Sequence, residues 1–309
     1  MGLPVGVSIL MPSGLKFAGL QKRTIRAYRV AVSRFLLHAK LCHLPLRTQT
    51  EVDAAVADYI NMLYQEGDSL AQAGHILSGL KRFIPQMRLK LPLASQYFRN
   101  WQRIHAPARA IPLSWDLLQA MAAVCLTLAK PGVALMLYLG FFCLLRTSEM
   151  LALQWCHLIL HERRPQISVI IPYSKTSNGN PQVLVFEDAN VWRLACTLQR
   201  TNGSEAFLWP GRPHRFRCFW RSLLTLLHFG QEDYVPYGIR RGGASWCFLE
   251  TASMDATLHR GRWTCAKTAK QYVDQGTLAM AKTLWNKAQR RSVRKWSLKG
   301  ARILKRLRQ

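Results

Sequence analysis

Residues 144–155 read LLRTSEMLALQW. They close the most hydrophobic run of the chain, and how that closure is read decides the fold. Arg146 stands at the end of the run and Glu149 follows three residues on. An arginine at the mouth of an apolar helix is costly to hold without an anion. Glu149 is spaced to orient it across one helical turn, although, taken alone, a plain surface ion pair explains this stretch better. The run itself, residues 132–145, is 14 long, short of the roughly 20 apolar residues that span a bilayer. Lys130 and Pro131 flank it on the other side. It reads as a central buried helix, and no membrane partner is expected.

Composition narrows the partner. The chain has 309 residues, 49% of them hydrophobic, enough for one large domain or two ordinary ones. It carries 43 Lys and Arg against 16 Asp and Glu, a net charge of +27. A folded chain this basic repels itself unless an anionic partner shares its surface. On charge alone nucleic acid is the first expected partner, because each neutralised phosphate releases counterions, and a membrane surface is the second. The eight cysteines form no C-x-x-C pair and the nine histidines no H-E-x-x-H or paired-ligand spacing, so neither a disulfide framework nor a metal site is expected. The opening MGLPVGVSIL has no basic n-region, and Gly6 breaks the myristoylation pattern. The expected location is intracellular, nuclear if the host is eukaryotic; the DNA association is what the resemblance given below implies.

Periodicity organises the rest into a mainly α chain with a small antiparallel sheet. Residues 1–20 read as a flexible N-terminus. Residues 21–106 form a helical unit. Its first helix, residues 22–41, puts Ile25, Tyr28, Val32, Phe35 and Leu36 on one face and leaves Arg23, Arg26, Arg29 and Arg34 elsewhere. A second helix follows Thr50, its first turn carrying Glu51 and Asp53 as the helix dipole favours. A third, residues 70–84, carries Lys81 and Arg82, and a shorter one carries Tyr97, Phe98, Trp101 and Ile104. HAPARAIPL, residues 105–113, is a linker. Residues 107–285 form a mixed α/β unit, opened by Ser114 as a helix cap. QISVIIPYS and QVLVF are strands, with Asn178-Gly179 as the hairpin signal between them, and CHLIL is a possible third strand. Residues 286–309 hold ten Lys or Arg and no acid. They read as a basic tail, either an amphipathic helix with Trp296, Ile303, Leu304 and Leu307 on one face or a segment that orders on binding.

Four more stretches complete the constellation. YSKTSNGNPQ puts Lys175 at the entry of the hairpin. YGIRRGGAS spaces Tyr237 and Arg240 three apart, on one face of a helix, with Gly242 and Gly243 permitting close backbone approach. GRW supplies Trp263, and Tyr272 follows nine residues later in RGRWTCAKTAKQYVD. Singly, each has an ordinary structural explanation.

In this order the pieces resemble the tyrosine recombinase (phage integrase) family, over nearly the whole chain. In wording they are closest to eukaryotic mobile-element recombinases of the Crypton kind. The resemblance implies a helical core-binding domain followed by a mixed α/β catalytic domain. It implies Tyr272 as the nucleophile, Arg146 and Arg240 as the phosphate clamp, Lys175 as the acid and Trp263 as a neutral donor, with Glu149 orienting Arg146. The implied reaction cleaves and rejoins DNA through a covalent 3′-phosphotyrosyl intermediate, with no cofactor, no ATP and no metal. Double-stranded DNA is the implied partner, along with other copies of the chain in a tetramer on two DNA sites, the C-terminal segment docking on a neighbour. Arg23, Arg26, Arg29, Arg34, Lys81, Arg82, Arg241 and Arg262 are the expected DNA contacts. Tyr237 departs from the pattern, standing where the family has His or Lys. A phenol with a pKa of about 10 is a poor base near neutral pH, though it can donate to a phosphate oxygen. A catalytically degenerate DNA-binding protein is the alternative, and a basic structural nucleic-acid-binding protein a lesser one.

Overall fold

A computed structural model of the chain describes residues 19–85, 91–105, 109–172, 180–230 and 233–306. The chain divides into two compact units, Met1–Ala108 and Arg109–Gln309. The hairpin tip with Lys175 and Asn178-Gly179, most of the expected flexible N-terminus, and Leu307 lie outside the described residues.

Among the described residues the first unit holds four helices: α1 (Lys22–Leu41), α2 (Gln49–Gln65), α3 (Leu70–Phe83) and α4 (Pro92–Ile104). Phe35, Val52, Val56, Ile60, Leu63, Ile76, Leu80 and Trp101 form its core. α2 starts earlier than its sequence suggests, because Thr48 and Glu51 close a capping box. Asp53 is no dipole ornament either. It is buried and accepts the Leu93 and Ala94 backbone N–H groups, each at 2.9 Å, capping α4 from forty residues away. All five acidic residues in residues 1–108 fall between Glu51 and Asp68, so α1, α3 and α4 carry none.

The second unit is built around α6 (Pro131–Phe142), in which every residue from Val133 to Phe142 is buried. α5 (Trp115–Thr127) packs on it, opened by Ser114 Oγ accepting the Leu117 N–H at 3.3 Å. The chain then runs through α7 (Thr147–Leu151) and a 3-10 turn at Trp155–His157 into β1 (Leu158–Leu160), β2 (Gln166–Ile171) and β3 (Gln182–Glu187). The sheet is antiparallel in the order β1-β2-β3, with Leu158 opposite Val169 and Ile167 opposite Phe186. Phe186 stacks on Phe142 at 5.2 Å, joining sheet to central helix.

α8 (Ala189–Gln199) and α9 (Pro213–Leu226) precede α10 (Gly238–Thr251), α11 (Met254–Gly261), α12 (Ala266–Lys270), α13 (Gln275–Thr283) and α14 (Lys287–Arg306). The sequence sets residues 286–309 apart as a tail, docked on a neighbour by the resemblance. In the structure α14 belongs to its own unit and packs on α5. Val293 and Leu304 are buried, Gly300 lies against Ala123, and Ser297 Oγ donates to the Asp116 carbonyl at 3.0 Å. An apolar stripe on a highly charged helix has no better place to go than the nearest apolar surface. Among the described residues no helix is long and apolar enough to cross a membrane.

Candidate active site

The site lies in the second unit, where the ends of α6 and α11, the starts of α7 and α10, and the segment after α12 meet. α6 ends at Phe142, and the chain reverses through Leu144, buried and held at φ 48° in the left-handed region. The turn delivers Arg146 to the N-terminus of α7. There Glu149 accepts the Arg146 backbone N–H at 2.8 Å and its guanidinium Nη1 at 2.8 Å, so the i, i+3 pairing is formed.

Glu149 does more than its spacing announces. It is buried, and two further arginines converge on its Oε2: Arg262 Nη2 at 2.8 Å and Arg240 Nη1 at 3.9 Å. Burial alone pushes its carboxyl pKa up. The Arg262 charge and the hydrogen bonds from Arg146 and Arg262 outweigh that, leaving it below the ordinary value.

Arg240 is 1% exposed. Its Nη1 donates to the Leu144 carbonyl at 2.7 Å and its Nη2 to the Gly261 carbonyl at 2.8 Å. The guanidinium carbon lies 4.9 Å from the Trp263 ring centroid and 5.3 Å from that of Tyr272. Burial, with the nearby charges of Arg146 and Arg262, brings its pKa down to about 10, still a cation near neutral pH. α10 reaches this depth because its glycines let backbones touch. A methyl group on Gly242 would sit 1.9 Å from the Leu113 carbonyl oxygen, and one on Gly243 2.2 Å from that of Phe141.

Trp263 and Tyr272 lie with ring centroids 4.5 Å apart, in a small cluster with Leu144, Ala244 and Ala269. The tyrosine's segment is tied down beyond it: the Asp274 N–H donates to the buried Ser245 Oγ at 2.9 Å, and Asp274 pairs with Arg241 at 2.8 Å. The Tyr237 hydroxyl donates to the Tyr272 hydroxyl at 2.5 Å. Tyr237 is 39% exposed. Partial burial and its bond to Tyr272 raise its pKa to about 12, against the pull of Arg240 and Arg146. Among the described residues, Arg240 Nε, Arg262 Nε and Nη1, and Trp263 Nε1 are buried donors without a hydrogen-bond partner. These donors are able to serve an acceptor that enters the site.

Arg146, Glu149, Tyr237, Arg240, Trp263 and Tyr272 are thus brought together. Lys175 lies outside the described residues. Two expected DNA contacts are placed elsewhere than the surface. Arg241 is buried between the Ala110 carbonyl (2.6 Å) and Asp274, and the Arg262 side chain, 6% exposed, is turned inward onto Glu149. Each charge is taken up by an internal carboxylate. In the first unit Arg23, Arg26 and Arg34 are exposed on α1, while Arg29, Lys81 and Arg82 are half-buried. Ser245 and Asp274 were missed as positioning residues. Their only signal was that they end YGIRRGGAS and RGRWTCAKTAKQYVD.

No family model matches the sequence, and no curated protein matches it. Solved structures do. The XerH site-specific recombinase bound to its difH substrate, before cleavage, aligns at a TM-score of 0.54 and 12% identity, over 86% of this chain and 79% of its own. A lambda integrase dimer bound to a COC′ core site gives 0.54 and 16%, over 87% and 75%. The Tn1549 transposon integrase with transposon right-end DNA gives 0.55 and 12%, over 86% and 94%. At such identities the likeness is one of fold, and the fold is that of the tyrosine recombinases.

Proposed function

We propose that the protein is a site-specific DNA recombinase that cleaves and rejoins strands through a covalent 3′-phosphotyrosyl bond. The observation that carries the reading is the convergence of Arg146, Arg240, Trp263 and Tyr272, drawn from four separate elements, with buried donors left unmet beside them. Glu149 accounts for the two guanidinium groups, and a scissile phosphate would use both of them together with the indole N–H and the phenol at the same point. The fold shared with recombinases and integrases supports the same reading.

In this reading the Tyr272 hydroxyl oxygen attacks phosphorus in line and gives up its proton to solvent water, since the Tyr237 phenol cannot take it. The P–O5′ bond breaks, and the departing 5′-oxygen takes a proton from Lys175, which the sequence places between β2 and β3. Arg146 and Arg240 stabilise the charge that grows on the non-bridging oxygens, and Trp263 Nε1 adds a neutral donor. One phosphodiester becomes another, so a second 5′-hydroxyl reverses the step without ATP. Tyr237, donating to Tyr272, steadies the phenolate as it forms. Because the Tyr272 and Trp263 rings lie over Arg240, the phosphate reaches that arginine only as those rings shift. The assembly that joins strands would be a tetramer on two DNA sites.

The test is a nicked duplex carrying the element's own flanking sequence, incubated with the protein and resolved on a denaturing gel. A covalent adduct is expected, and Tyr272→Phe abolishes it. No adduct on any candidate site would leave the second reading, a DNA-binding protein that no longer cleaves. That reading is favoured by one observation, the Tyr237 phenol standing where the resemblance expects a base.

A further inference from the structure

Arg262 occupies a backbone position suited to another residue. It caps α11 at φ 57° and ψ 42°, the left-handed conformation in which glycine is the usual occupant. A side chain held there against its backbone preference needs a reason. Its guanidinium is buried, and Nη2 divides between Glu149 Oε2 at 2.8 Å and the Leu144 carbonyl at 3.3 Å. Those are the two acceptors nearest Arg240 in the α6–α7 turn, the Leu144 carbonyl at 2.7 Å and Glu149 Oε2 at 3.9 Å. Arg262 therefore stands where Arg240 would go if Glu149 were free to take it.

We infer that Arg262 is a positioning residue which occupies Glu149 and so keeps Arg240 from forming a closed ion pair, leaving its charge for the substrate phosphate. The inference rests on the recombinase reading for its consequence, but its structural content stands alone. With Arg262 in place, Glu149 holds Arg146 through Oε1 and Arg262 through Oε2, and Arg240 is held by backbone carbonyls, which are neutral. A guanidinium on neutral acceptors keeps a full charge to offer. One bound directly to a carboxylate does not. With Arg262 removed, the carboxylate is buried with one partner fewer, and Arg240 is the cation within reach.

The experiment has two arms. The crystal structure of Arg262→Gly is expected to show Arg240 in direct contact with Glu149, the 3.9 Å gap closed to hydrogen-bonding distance. If Arg240 remains on the Leu144 and Gly261 carbonyls with that gap unchanged, the inference is wrong, whatever the protein's activity. In the second arm, covalent adduct formation on nicked DNA is expected to slow at least tenfold in Arg262→Gly, with DNA affinity changed less than threefold. Arg262→Lys should recover part of the rate, and pairing Arg262→Gly with Glu149→Gln should be no slower than the slower single variant. Additive losses would assign Arg262 a merely structural role. A wild-type protein that forms no adduct, with the Arg240 shift seen in the crystal, would sink the recombinase reading and leave the inference standing.

Discussion

Tyr237 sets the pH behaviour of the site. Its pKa is raised to about 12, so it stays a neutral donor across the physiological range and cannot accept the Tyr272 proton there. Wild-type cleavage should therefore show no inflection from Tyr237 between roughly pH 6 and 10. Tyr237→Phe should slow adduct formation by about ten- to a hundredfold, the loss of one hydrogen bond worth about 1.5–3 kcal/mol to a developing charge. Tyr237→His should introduce an inflection near the ordinary imidazole pKa of about 6.5, read from rates on nicked DNA. An unshifted profile in that variant would remove position 237 from the proton path. Glu149 makes a prediction about stability instead. Its folded pKa lies below the ordinary 4.5, so its contribution is present above that value and is lost as pH falls through the folded one. Glu149→Gln should shed this acid-side loss, seen as a flatter fall of Tm below about pH 4.5. The sequence made Tyr237, Arg240, Trp263 and Tyr272 legible as residue types at set spacings. It could not show that Arg241 and Arg262 turn inward, because a basic residue next to a clamp arginine reads the same whether its partner is a phosphate or a carboxylate distant in sequence.

The elements around the site are fixed by close backbone contact more than by side-chain fit. Gly242 of α10 faces a backbone oxygen of residue 113, which cannot rotate away as a side chain could. Gly242→Ala should therefore destabilise the second unit by more than about 3 kcal/mol, seen as a lower denaturation midpoint. Gly300→Ala, whose methyl group would meet the Ala123 side chain at 2.7 Å, should cost less, because that contact is longer than the 1.9 Å one at Gly242 and falls on a methyl group instead of a backbone oxygen. Helices and strands with strong periodicity were readable within a few residues, as was the Ser114 cap. The capping of α4 by Asp53 was not, since no local pattern links positions forty residues apart. Nor was the docking of α14, whose nine cations mask Val293, Trp296, Gly300 and Leu304, positions that face its own unit.

At the scale of the molecule, net charge sets the salt dependence of binding. Each phosphate neutralised should contribute a slope of about −0.9 to log K against log salt. Replacing Arg23, Arg26 and Arg34 together by Gln should reduce that slope by about 2.7 if all three touch phosphates. An unchanged slope in a filter-binding titration would place DNA on another face. The first unit also separates its charges along the chain. Its acids are confined to residues 51–68 while α1 carries only cations, so the unit has an electric moment as well as a net charge. A polyanion pulls on the whole charge but also turns the body, bringing α1 forward and swinging α2 away before contact. Encounters that would otherwise fail by orientation are thereby converted into productive ones. Reversing Asp58 and Glu66 to lysine would raise the net charge yet weaken this torque, and the association rate measured at low salt should rise less than the added charge alone predicts, or fall.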